Sequence, residues 1–151
     1  MSRTPLDNLT ELAREARDQA GQRLAGERRT AAQIIDQLES LQRYRQEYAQ
    51  KLQAAMRAGI DPASMHNYQR FLASLDDALE RARQALAAQQ QRVDQSQRHW
   101  RQEQRKLSSY DTLAERRAQA QRRAEQRREQ RVNDDLVTGR WLRQNAARGE
   151  R

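Results

Sequence analysis

The chain has 151 residues, no cysteine, a net charge of +8 and a mean hydropathy of −1.25; 36% of it is hydrophobic and 33% charged. One domain fits that length. The composition excludes a compact globule with a deep core, disulfides and thiolate metal sites, and no apolar run approaches the roughly 20 residues that cross a bilayer.

The opening Met1-Ser2-Arg3-Thr4-Pro5 has no signal-peptide core, so a cytoplasmic protein is expected. Thr4-Pro5 reads as a helix start: a hydroxyl at the cap, then proline where its missing N–H does no harm. No proline follows until Pro62, and Gly21 and Gly26 are the only weak points, each costing about 1 kcal/mol relative to alanine. A first helix over about 4–58 is predicted, roughly 80 Å long at 1.5 Å per residue. Gly59 supplies a stop, the turn covers 59–61, and Asp61-Pro62 restarts a helix by the same cap-and-proline logic.

The second helix is predicted over about 62–131 or longer, more than about 100 Å. Along it Met65, Leu72, Leu79, Leu86, Val93, Trp100 and Leu107 fall at intervals of seven. Tyr68, Leu75 and Ala82 fill the alternate positions, and Gln89, Ser96 and Glu103 then replace them. Sustained sevens are the mark of a left-handed coiled coil, and a short linker favours antiparallel neighbours. The expected fold is therefore all-α: one elongated domain over 1–151, two long helices forming an antiparallel coiled-coil hairpin.

Two registers compete on the first helix. In one, Leu24, Ala31, Ile35, Leu38, Ala49, Leu52 and Met56 close the hairpin. In the other, sevens from Leu6 run through Ala13 and Ala20 to Ile34, Leu41 and Tyr48. The choice matters for two quartets spaced 4, 3, 4: Gln37, Leu41, Tyr44, Tyr48 and Phe71, Leu75, Ala78, Ala82. Each lines one stripe of its helix, and folding back at Gly59 brings both to one height. On the first register they form an exposed flank beside the seam; on the second, the first quartet is core. The core residues of the first reading are Leu24, Ala31, Ile35, Leu38 and Leu52 against Met65, Leu72, Leu79, Leu86, Val93, Trp100 and Leu107.

From about Ala114 the stripe is lost and the chain is charged on every face. Val132, Leu136, Val137, Trp141 and Leu142 form an apolar island in a tail over about 132–151, which either docks on a partner or is poorly ordered.

Catalysis is not expected: there is no cysteine nucleophile and no phosphate-cradling glycine loop, and the two histidines, His66 and His99, lie far apart. No cofactor or metal is expected either, since no helical His/Glu cluster surrounds the histidines. The pairs Asp76-Asp77 and Asp134-Asp135 read as solvated surface. A basic helix can bind phosphates, but acids are interleaved through most of the chain and no recognition fold is apparent, so nucleic acid is not the expected partner.

The order Leu41-x-x-Tyr44-x-x-x-Tyr48 on the first helix, then Asn67-x-x-x-Phe71-Leu72-x-x-Leu75 on the second, resembles the FliJ family of flagellar export proteins, as do the later Trp100 and the Glu-Arg-rich stretch. The resemblance spans nearly the whole chain. It implies a cytoplasmic component of the flagellar type III export apparatus, peripherally associated with the inner membrane at the flagellar base. Such a protein acts as a stalk-like coiled coil that binds and stimulates the hexameric export ATPase, docks on the cytoplasmic domain of the membrane export gate and escorts export chaperones. The gate-binding patch of the family maps onto Gln37, Leu41, Tyr44, Tyr48, Phe71, Leu75, Ala78 and Ala82, the last at a position that is larger and polar in some relatives. The resemblance favours the flank reading of the quartets. The equivalent stalk of a virulence-type secretion system shares this architecture, and the aromatic quartets favour the flagellar member.

Overall fold

The structure, a computed structural model, describes residues 2–149. Two helices account for nearly all of it: α1, Pro5–Ala58, and α2, Pro62–Gly149. Both begin at the proline the sequence points to. At α1, Thr4 and Asp7 cap each other: the Asp7 N–H donates to Thr4 Oγ1 at 3.2 Å and the Thr4 N–H to Asp7 Oδ2 at 3.1 Å. At α2, Asp61 Oδ2 accepts from the Ser64 N–H at 3.3 Å. Between the helices Gly59 takes a φ of 91°, in the left-handed region that ends a helix at little cost to glycine.

The chain divides into two compact units. One, Ala13–Arg105, holds the turn and the helix arms on either side of it. There the helices pack against each other antiparallel: Arg17 meets Gln104, Glu27 meets Gln89 and Arg45 meets Asp76. In this unit both series of sevens on α2 face the seam. Leu72, Leu79, Leu86, Val93 and Trp100 are buried or half-buried, and so are Leu75, Ala82, Gln89, Ser96 and Glu103.

The same test settles α1. Two series of sevens are withdrawn from solvent there: Arg17, Leu24, Ala31, Leu38, Arg45, Leu52, and Ala13, Ala20, Glu27, Ile34, Leu41, Tyr48, Ala55. The second is the series counted from Leu6. Leu24, Ala31, Leu38 and Leu52 lie in the first, as the stripe reading has them, but Ile35 does not: it is 39% exposed. It follows Ile34 by one residue, about 100° further round the helix, and so sits on a rim. The competing registers are thus the two halves of one seam.

The seam holds polar groups because the helix pair is thin and leaves them reachable. Arg17 keeps its stem at the seam and its guanidinium outside, 2.9 Å from Asp18. Gln89 is buried and donates through Nε2 to the Glu27 backbone oxygen at 2.9 Å and to the Glu27 carboxylate. Trp100 is accommodated by Gly21: a Cβ built there would stand 3.3 Å from the indole Nε1.

The other unit comprises residues up to Leu12 and from Lys106 onwards. Within it Leu107 is buried, and Thr4, Leu6 and Asp7 line a groove with Ala114, Arg117 and Gln121. Helix α2 continues to Gly149, so the described part of the expected tail is helical, with Val132, Leu136, Val137, Trp141 and Leu142 all exposed. Gly139, the one glycine inside this stretch before its last residue Gly149, costs about 1 kcal/mol, too little to end a helix.

Candidate docking surface

Each quartet alternates between seam and flank. Leu41, Tyr48, Leu75 and Ala82 belong to the seam series; Leu75 is 7% exposed and the other three half-buried. Gln37, Tyr44, Phe71 and Ala78 each stand just outside it. Gln37 and Tyr44 are exposed, Tyr44 to 48%, and Phe71 and Ala78 are half-buried. The 4, 3, 4 spacing thus covers an edge, with one row packed inward and the other facing solvent.

Four aromatic rings meet there. Tyr44 and Phe71 stand edge to face with centroids 5.9 Å apart; Phe71 and Tyr48 are 4.4 Å apart and Tyr48 and Tyr68 5.1 Å. Tyr44 and Tyr48 are successive rings on α1, 6.4 Å apart. Such pairs attract one another, so the exposed Tyr44 ring is backed by packed rings. Tyr68 belongs to this cluster although the quartets omit it; it lies seven residues before Leu75, and that spacing is the signal for it.

The opposite flank is polar. Arg45 Nε donates to Asp76 Oδ1, and Arg45 Nη2 lies 3.4 Å from Asp76 Oδ2. This hydrogen bond and the charge of Arg45 hold the Asp76 carboxyl below its ordinary range. Gln42, Gln46, Gln50 and Gln53 surround the pair. One flank near the turn is therefore aromatic and the other hydrophilic.

His66 and His99 are both exposed, and among the described residues no group of three or more His, Cys, Asp or Glu could hold a metal ion. No helix among the described residues is long and apolar enough to cross a membrane.

An antiparallel helical hairpin with one aromatic edge belongs to the class of coiled-coil proteins. Comparison with known proteins narrows that class. The sequence model of the family described as "Flagellar FliJ protein" matches residues 1–146. The chain is 32% identical to the flagellar FliJ protein of Salmonella typhi and 33% identical to that of Escherichia coli (strain K12), each over 132 residues, 87% of this chain and 90% of the relative. The chain belongs to the FliJ family of flagellar proteins.

Proposed function

We propose that this chain is a non-catalytic, cytoplasmic component of the flagellar type III export apparatus, acting peripherally at the membrane at the base of the flagellum. The aromatic edge docks on the cytoplasmic domain of the export gate. Gln37, Tyr44, Phe71 and Ala78 form the contact face, and Leu41, Tyr48, Leu75 and Ala82 set its shape from behind. The segments 1–30 and about 100–130 engage the hexameric export ATPase and stimulate it, and the same protein escorts export chaperones.

The exposed Tyr44 ring, braced by Phe71, carries this reading. An aromatic side chain half in water at the edge of a packed ring cluster gives up contact area without return unless a partner covers it. Tyrosine and phenylalanine also lose little rotamer freedom on binding, which suits them to anchor an interface.

Titration into purified flagellar export ATPase and, separately, into the gate's cytoplasmic domain tests the proposal. Saturable stimulation of ATP hydrolysis at physiological salt and saturable gate binding are expected. Absence of both, with retention on DNA that collapses as salt rises, would replace it with a phosphate-binding coiled coil.

A further inference from the structure

The aromatic edge does not end at the quartets. On both helices its outer row continues at intervals of seven: Tyr44, Gln37, Thr30 and Arg23 on α1, and Phe71, Ala78, Ala85, Arg92 and His99 on α2. Arg23 is 21 residues from Tyr44 and Arg92 is 21 residues from Phe71, so both lie about 30 Å along the same flank. There the helices frame an open notch of about 440 Å³, lined by Arg23, Arg92 and His99 with Gln95, the buried Ser96 and Glu27.

Glu27 is the carboxylate in this lining, and Gln89 engages it from the seam side. Arg23, Arg92 and His99 form no ion pair among the described residues. The outer-row residues between the aromatic pair and the notch, Thr30, Gln37, Ala78 and Ala85, carry no charge. The flank thus offers an apolar anchor, an uncharged outer row over three heptads, and two uncommitted guanidinium groups beside a histidine. Guanidinium groups on two facing helices are suited to grip a carboxylate with paired N–H donors.

We propose that the notch formed by Arg23, Arg92 and His99 is a second contact of the same docking surface, and that it receives an acidic segment of the partner protein whose apolar face covers Tyr44 and Phe71. This rests on the docking reading above and adds a charge requirement to it; Arg23 falls within the 1–30 segment given to the ATPase, so gate and ATPase use that stretch in turn. The aromatic pair supplies most of the affinity; the notch fixes the direction in which the partner lies and speeds its approach, as charges at an interface rim do.

The probe is the purified cytoplasmic domain of the export gate, titrated with the full chain at low and at physiological salt. Arg23→Glu/Arg92→Glu should weaken binding about tenfold or more at low salt and flatten its salt dependence. Arg23→Gln/Arg92→Gln should give a smaller loss in the same direction. Arg28, beside Ala31 and Ile35, and Arg83, beside Arg45 and Asp76, stand on the opposite flank; Arg28→Glu/Arg83→Glu should leave binding within about twofold, since the two reversals differ in position and not in the change of net charge. All three are surface changes, and circular dichroism checks that helicity is retained. Equal losses from both reversals would reduce the effect to net charge and overturn the proposal. So would wild-type binding by Arg23→Glu/Arg92→Glu while Tyr44→Ala binds weakly; the docking surface would then stand without the notch. Unchanged binding by Tyr44→Ala as well would mean that the docking reading itself has failed.

Discussion

Tyr44 and Phe71 come from different helices and stand edge to face, with ring centroids 5.9 Å apart and planes at 84°. One ring is 48% exposed and the other half-buried. The contact ties the solvent-facing row of one helix to that of the other. It makes the flank one continuous surface rather than two stripes that happen to be adjacent. The neighbouring seam and the polar seam further along respond to mutation in different ways.

Leu79 is 3% exposed in the seam. Leu79→Ala should cost roughly 2–4 kcal/mol, from lost burial plus the space left behind. Thermal denaturation followed by circular dichroism should show a clear fall in midpoint. A change as small as that of a surface substitution would mean that the seam near residue 79 is not packed as described.

Gly21 and Trp100 should behave as a coupled pair. Gly21→Ala gains about 1 kcal/mol of helix propensity but places a methyl 3.3 Å from the indole Nε1. The two effects oppose, and the net change should be small. Gly21→Leu should destabilise clearly. In a double-mutant cycle with Trp100→Ala the coupling should exceed about 0.5 kcal/mol, the level expected of residues in contact. Strict additivity would show that the indole does not lie over Gly21.

The half-buried Gln89–Glu27 contact costs stability that apolar residues would restore. Gln89→Ala should destabilise by about 1–2 kcal/mol, because it removes the donor to Glu27 and leaves space at the seam. Glu27→Leu/Gln89→Leu should instead raise the melting temperature, since a hydrogen-bonded polar pair that is costly to desolvate is replaced by an apolar one. A double variant less stable than Gln89→Ala would contradict this account of the thin seam.

Acid should loosen the helix ends and the polar flank. Hydrogen bonds from the Thr4 backbone and hydroxyl hold Asp7 below its ordinary value of 3.8, those from Ser64 do so for Asp61, and the Arg45 guanidinium does so for Asp76. A carboxyl lowered on folding binds more protons in the unfolded chain. Its contribution is therefore complete above the ordinary carboxylate range and is lost as pH falls through the lower folded value. Melting temperatures should be level near neutrality and decline below about pH 4. Asp76→Asn should shrink that decline. These groups are exposed, so the effect is modest. A variant with an unaltered acid limb would show that Arg45 does not stabilise the Asp76 charge.

The sequence made the helix ends plain because proline, glycine and a capping side chain act locally. Thr4-Pro5, Gly59 and Asp61-Pro62 mark the boundaries without knowledge of the fold. The sevens on α2 were equally plain, since Leu72 through Leu107 repeat without interruption. The register of α1 was not, for a physical reason. A two-helix seam takes residues from two series, and on α1 both contain groups that do not look like core. Arg17, Glu27 and Arg45 sit at seam positions with their stems covered and their charges at the edge. Ile35, which looks like core, lies on a rim. Hence Leu41 and Tyr48 could be read as flank or as core, whereas the structure puts them in the seam directly behind Tyr44. The cationic notch was hidden further, because Arg23 and Arg92 are 69 residues apart and only antiparallel pairing brings them to one opening.

The most direct measurement compares wild type, Tyr44→Ala and Leu79→Ala in two readings: affinity for the export gate's cytoplasmic domain and thermal midpoint. If the aromatic edge is a docking surface, Tyr44→Ala should lose about 1–3 kcal/mol of binding while its midpoint stays close to wild type, and Leu79→Ala should show the larger fall in midpoint. A Tyr44→Ala chain that binds as wild type, or one that melts as early as Leu79→Ala, would contradict the account and return the aromatic cluster to the core.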